Sequence, residues 1–279
     1  MNNSLKNRIC YYSTMYEGRS VMREITDFSA KMGVGGVEFM NFCDELETPD
    51  MTAARELGAR AKSLGLKLPC FSAYARIAED DREEQCKIMF RYAEICSELE
   101  IPYFHHTIYP HLDPLQIAGK EEEIFLRGVE SVRRINEYAA RLGVKTVIED
   151  QGFIFNGVKN FTRLVRECDG KIGTVLDLGN IWFVDEAPED FARELIDSIV
   201  HVHIKDYTYI ENPTENDYTS ISGKRFHGCE IGEGIVNLER VAKVLKDANY
   251  NGFYSLELDG ISNPASAERA MKTVIDFFG

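Results

Sequence analysis

Short runs rich in β-branched and aromatic residues alternate along the chain with longer stretches whose apolar positions recur every three to four residues. The short runs predict strands at Arg8–Tyr12, Gly36–Phe42, Lys67–Ala73, Tyr103–Ile108, Thr146–Asp150, Gly173–Asp177, Val200–Asp206 and Gly252–Leu258. Helices are predicted near Ser20–Lys31, Met51–Leu64, Asp80–Leu99, Lys120–Leu142, Val158–Asp169, Pro188–Ser198, Leu238–Ala248 and Ser266–Phe277. Glycine or asparagine stops close several of them, as in KMG before Val34, RLG before Val144 and ANYNG before Phe253.

Eight strand–helix units predict an α/β fold in which parallel strands close into a single (β/α)8 TIM barrel over residues 1–279. A doubly wound open sheet usually has fewer units and a glycine-rich phosphate turn after its first strand. Here that stretch reads CYYSTMYEG. No linker, low-complexity tract or shift in composition divides the chain. One connection is long: about thirty residues, Tyr207 to Val236, follow the seventh strand, and loops of that length in compact domains are usually functional.

Side-chain parity locates the candidate chemistry. In a barrel strand one parity faces the axis and the other packs on helices. In the seventh strand Val200, Val202 and Ile204 are the apolar row, so His201, His203 and Lys205 are expected to face the axis. In the eighth, Tyr254, Leu256 and Leu258 go outward and Ser255, Glu257 and Asp259 inward. The sixth turns Val175 and Asp177 inward, and the fifth Val147 and Glu149. Four consecutive strands thus end with Glu149, Asp177, His203 and Glu257 at the carboxyl end, where barrel active sites form. Three carboxylates beside an imidazole would force a proton onto one of them unless a cation is present. Oxygen-rich ligation with one nitrogen suits one divalent ion, Mn²⁺, Mg²⁺, Co²⁺ or Fe²⁺, with zinc also in the set. The competing reading is an ion-pair network that only stabilises the barrel.

Composition narrows the partners. Lys and Arg number 32 against 46 Asp and Glu, a net charge of −14 that repels phosphate backbones and anionic lipid, so neither nucleic acid nor a membrane is expected. Seven scattered cysteines without C-x-x-C spacing, and no apolar run long enough for a signal peptide in the first thirty residues, lead us to expect a reducing, cytoplasmic setting.

The motifs TVIEDQG, TVLDLGN, HVHIKD and EIGEGIVNLERVAKVLKDANYNGFYSLELDG resemble the xylose isomerase-like TIM barrels, a group of sugar phosphate isomerases and epimerases, and the resemblance covers nearly the whole chain. It implies one metal held by Glu149, Asp177, His203 and Glu257. GVEFM resembles the family's second strand, where a glutamate, here Glu38, faces the site. Asn180 stands where some epimerases carry a histidine three residues after the aspartate ligand. The asparagine-arginine element expected after the first glutamate of ketose 3-epimerases is missing, since Glu149 is followed by DQGFIFN. The three-metal endonuclease branch needs more histidines and a basic face, which six histidines and −14 do not supply.

The implied chemistry is isomerisation or epimerisation of a sugar or polyol through a metal-stabilised enediolate, with Glu149 and Glu257 moving the proton. A dehydratase or lyase on a keto-sugar or inosose, including a component that deglycosylates a 3-keto-glycoside, and a non-catalytic sugar-binding barrel are the alternatives. Lys205, His227, Arg225, Trp182, His106, Glu38 and Asn180 are the candidates for orienting the substrate. Of the adjacent His105 and His106 only one can face the axis, and His106 is the expected one because HT there resembles the family's fourth strand. A homo-oligomer is expected by analogy alone.

Overall fold

The computed structural model describes residues 3–12, 21–212, 214, 217–259 and 263–279. The first residue of the predicted helix at Ser20, and the STMYEG turn after the first strand, lie outside the described residues. The strands are β1 (Ile9–Tyr11), β2 (Gly36–Val37), β3 (Phe39–Met40), β4 (Cys70–Ala73), β5 (Tyr103–His106), β6 (Lys145–Glu149), β7 (Gly173–Asp177), β8 (Ile199–Ile204), β9 (Asp206–Tyr209), β10 (Tyr218–Thr219), β11 (Arg225–Cys229) and β12 (Phe253–Leu256). The helices are α1 (Asn3–Lys6), α2 (Met22–Met32), α3 (Met51–Ser63), α4 (Arg82–Glu98), α5 (Pro114–Ile117), α6 (Glu121–Arg141), α7 (Gly157–Glu167), α8 (Pro188–Leu195), α9 (Leu238–Asp247) and α10 (Pro264–Phe278).

Nine strands form one sheet in the order β2-β1-β12-β8-β7-β6-β5-β4-β3, every pair parallel. β2 and β3 are successive pieces of one stave interrupted at Glu38, so the two ends of the order meet. The Gly36–Lys67 bridge and the Val37 N–H to the Lys67 carbonyl (3.0 Å) join them. The result is the eight-staved TIM barrel that the alternating pattern predicts.

The helices form for reasons legible in the chain. α6 opens with Glu121, Glu122 and Glu123 and ends on Arg141, charges that complement the helix dipole, and it buries Ile124, Phe125, Val129, Val132, Ile135 and Ala139 along one face. α2 stops at Gly33, whose φ of 69° lets its N–H return to Ala30 and Ser29, as KMG predicts. α10 starts at Asn263, whose side chain accepts from the Ser266 N–H, with Pro264 in its first turn. No helix among the described residues is long and apolar enough to cross a membrane.

Two expectations need correction. Val200 does not join the outward row: it packs with the inward-facing Cys70, Val147 and Val175. The register between β7 and β8 slips between Thr174 and Val175, and a bulged residue loses its parity. The long connection after β8 is not a simple loop either. β9, β11 and β10 form an antiparallel sheet, with Phe226 opposite both Tyr209 and Tyr218.

Asp206 anchors this segment. Its Oδ1 accepts from the Tyr207 and Val236 N–H groups at 2.9 and 3.0 Å, and its Oδ2 from those of Gly232 and Gly234, both at 3.0 Å. A Cβ on Gly234 would stand 2.2 Å from Asp206 Oδ1, so only glycine lets the backbone come this close. The KD of HVHIKD and the GEG turn are therefore two halves of one clasp.

Candidate metal centre and its surroundings

β6, β7, β8 and the residue just past the end of β12 deliver Glu149, Asp177, His203 and Glu257 to the carboxyl end of the barrel. One ligand atom from each lies within 4.8 Å of the others. His203 Nδ1 is the hub, at 2.7 Å from Glu149 Oε1, 3.8 Å from Glu257 Oε2 and 3.9 Å from Asp177 Oδ2. Asp177 and His203 are register partners across β7 and β8, which fixes them at one height. Asp177 is oriented by its other oxygen, Oδ1, which accepts from the Gly179 and Asn180 N–H groups at 2.8 and 2.7 Å.

Beneath this layer lies a second one. Glu38, at the break between β2 and β3, is fully buried with both oxygens occupied. Oε1 accepts from Ser72 Oγ at 2.5 Å and His203 Nε2 at 3.1 Å. Oε2 meets His201 Nε2 at 2.7 Å and also the Ser255 hydroxyl. Burial would raise the Glu38 pKa, but the His203 and His201 imidazoles hold it well below the usual carboxylate range. Glu38, His201 and His203 also offer a cluster of ligand-type atoms, but four hydrogen bonds already occupy the two Glu38 oxygens. The expectation that Glu38 touches substrate is thereby corrected: it faces the back of His203.

The electrostatics fit a dication in the upper layer. Burial pushes Asp177 up to about 8, with Lys205 opposing the rise and Glu149 and Glu257 adding to it. Burial, opposed by Lys205, also raises Glu257. Burial would raise Glu149 as well, yet the hydrogen bond and charge of His203 hold it at about 2. Three carboxylates packed this tightly cannot all stay ionised without more positive charge than Lys205 and His203 bring. Asp177 Oδ2 makes no hydrogen bond among the described residues, although Lys205 Nζ lies 3.1 Å away. A dication taking His203 Nδ1 would leave Nε2–H donated to Glu38, the carboxylate–histidine–metal arrangement that orients such ligands. On donor chemistry, the residues suit the ion.

The remaining candidates distribute unevenly. Lys205 is buried and bridges Asp177 and Glu257, with Nζ 3.0 Å from Glu257 Oε1. Burial works against its charge, but the two carboxylates hold its pKa well above the ordinary value. Asn180 and Trp182 lie in the turn after β7, and each keeps a buried nitrogen, Nδ2 and Nε1, without a partner among the described residues. Neither lines the small cavity of about 80 Å³ above Glu149 and Glu257. That cavity is walled by Tyr12, Phe42, Tyr74, His105 and Gln151 among others. The inward histidine is therefore His105, not His106. His105 Nδ1 pairs with Ser72 Oγ at 2.8 Å and its ring stands edge-on to His203, whereas His106 turns out against Phe104. The strand simply carries the opposite parity from the expected one.

Arg225 and His227 do not reach this cavity. On β11 they take the parity opposite to Phe226, which packs inward on Tyr207 and Phe183. Arg225 Nη2 donates to the Thr214 carbonyl at 3.0 Å, and half-exposed His227 faces Asp217 at 3.4 Å. In this structure these contacts lie within the segment.

Sequence reasoning missed Tyr12, Phe42 and Tyr74. All three lie within two residues of the carboxyl ends of β1, β3 and β4, the rule that found the metal-ligand candidates, applied to aromatics.

Comparison with known proteins places this arrangement. A profile described as xylose isomerase-like TIM barrel matches residues 26–278. An inosose dehydratase of Clostridium perfringens is 24% identical over 170 residues, 57% of either chain, so the match spans just over half the length of that relative. A D-psicose 3-epimerase of Clostridium cellulolyticum H10, solved with D-tagatose, superposes with a TM-score of 0.75 at 17% identity, covering 97% of this chain and 98% of the other. A 3-keto-D-glucoside 4-epimerase of E. coli superposes with a TM-score of 0.72 at 18% identity, covering 96% and 98%. At these identities the structural likeness establishes the fold.

Proposed function

The chain belongs to the xylose isomerase-like TIM barrel family, and from that premise we propose that it is a divalent-metal-dependent enzyme that moves a proton beside a carbonyl of a sugar or polyol, with epimerisation or isomerisation as the outcome. The observation that carries the reading is the convergence of Glu149, Asp177, His203 and Glu257 within 4.8 Å at the carboxyl end of the barrel. These four would hold the ion. When bound, it supplies Lewis acidity that draws charge from a substrate carbonyl and eases loss of the neighbouring proton.

The protein's own groups do the rest. Glu149 and Glu257 are separated by the intervening β7 and β8, so they approach a substrate centre from two sides. One takes a proton and the other returns one, which inverts the centre when both act on the same carbon. Lys205 keeps a proton at Glu257 Oε1, 3.0 Å away, and its charge steadies anionic oxygen nearby. Tyr12, Phe42 and Tyr74 offer apolar faces to the sugar ring. The cavity of 80 Å³ is small beside the roughly 300 Å³ of a usual ligand pocket, so exposed Phe42 and Tyr74 must swing aside on entry.

A second reading, dehydration of a keto-polyol, is favoured by one observation. The ammonium of Lys205 beside Glu257 is a ready proton source for a departing hydroxyl, and the inosose dehydratase relative performs a loss of water by name. Incubating the metal-loaded protein with ketoses and inososes in D₂O tests both. Incorporation of one deuterium with no loss of water is expected for epimerisation, and a product lighter by water indicates the lyase. Neither exchange nor loss of water with any compound while the metal is bound would overturn both.

A further inference from the structure

The barrel has a second opening at the amino ends of its strands, away from the metal-ligand candidates. A cavity of about 620 Å³ lies there, within the range of roughly 300–1,000 Å³ typical of small-molecule sites. The segments entering β4, β5 and β12 wall it with Leu66, Leu68, Pro69, Leu99, Pro102 and Phe253. This face of a TIM barrel normally serves stability, and a hollow of this size there is unusual.

Two polar features mark its ends. At the inner end stands His201, fully buried, whose Nε2 faces Glu38 Oε2 at 2.7 Å while Nδ1 is buried with no partner among the described residues. At the rim, Lys62 and Lys67 are exposed and have no carboxylate partner among the described residues, and Lys67 Nζ stands 5.8 Å over the Phe253 ring. Glu98 also lines the rim but is held by Arg55 at 2.8 Å, which leaves Glu100 as the one unpaired acid there among the described residues and the rim net positive on a chain of charge −14.

We propose that this opening is a binding site for a small organic anion with a flat apolar body. The lysines take the anionic group, Phe253 and the prolines sandwich the body, and the far end of the ligand is directed toward buried His201. The site is separate from the metal-ligand candidates, and its existence does not depend on the reaction assigned to them.

Titration calorimetry with 4-hydroxybenzoate, on the full chain with a chelator present, tests the proposal. One saturable equivalent is expected. Lys67→Met should weaken it about tenfold, the effect of one charge-assisted contact. Ala59→Trp, at an exposed rim position, should block the opening and abolish binding, whereas Glu257→Gln at the opposite face should leave it unchanged. Unfolding midpoints of both rim variants verify folding, and Lys67→Met decides alone if Ala59→Trp does not fold. No saturable heat, binding indifferent to the rim substitutions, or binding lost in Glu257→Gln would overturn the proposal.

Discussion

Glu38 Oε1 lies 3.1 Å from His203 Nε2, while the other nitrogen of the same ring, Nδ1, points 2.7 Å into Glu149. The buried carboxylate thus sets the orientation and protonation of the ring from behind. Glu38→Gln should lower Mn²⁺ affinity by about 10- to 100-fold, as loss of such a supporting contact does elsewhere. The circular dichroism spectrum should stay unchanged. Equal affinity in a calorimetric titration would remove Glu38 from this role.

Lys205→Met separates metal holding from turnover. The ammonium sits 3.1 Å from Asp177 and 3.0 Å from Glu257, where it competes with a dication for the same oxygens. Mn²⁺ affinity should stay level or rise, while kcat/KM falls by about 100-fold, the usual contribution of a placed proton donor. A loss of metal binding with normal residual turnover would contradict it.

Asp206→Ala should destabilise the protein by about 3 kcal/mol or more, since it strands four backbone N–H groups that now share one carboxylate. Denaturant unfolding measures this directly. Gly234→Ala should produce a comparable loss through the clash with Asp206 Oδ1. A change under about 0.5 kcal/mol, typical of an uninvolved surface site, would refute the clasp.

His106 predicts an acid limb of stability. Burial pushes its pKa down to about 3, so the folded ring stays neutral where the unfolded one, titrating near 6.5, takes a proton. Protonation favours the unfolded state: this contribution is complete above about pH 6.5 and is lost as pH falls toward 3. By pH 4.5, two units below the unfolded value, the loss amounts to about 3 kcal/mol. His106→Phe should therefore flatten the stability–pH curve between pH 6.5 and 4.5. Parallel curves for the two proteins would rule the mechanism out.

The barrel was legible because eight strand–helix alternations leave few topologies, and parity then brought Glu149, Asp177, His203 and Glu257 to one end. What parity alone does not carry is height and phase. Glu38 shares the inward parity of a ligand but sits one layer too deep, at a break between β2 and β3 that no local preference announces. Val200 escaped because a bulge needs the neighbouring strand to be seen. His105 and His106 differ by one step, and a motif likeness chose the wrong phase. Arg225 and His227 depended on a hairpin whose pairing with β9 is long-range.

The Asp206 clasp carries a practical consequence for redesign. One carboxylate, together with the Ile235 N–H on the Tyr207 carbonyl at 2.8 Å, fastens both feet of the excursion between β8 and α9 to the same spot. What hangs between those feet has a third mooring on the turn after β7, where Ser220 Oγ donates to Asp185 Oδ1 at 3.0 Å and the Ile221 N–H to the Phe183 carbonyl at 2.8 Å. A foreign hairpin spliced from Tyr209 to Arg225 would keep its foundations aligned only by reproducing that hold on Asp185 and Phe183.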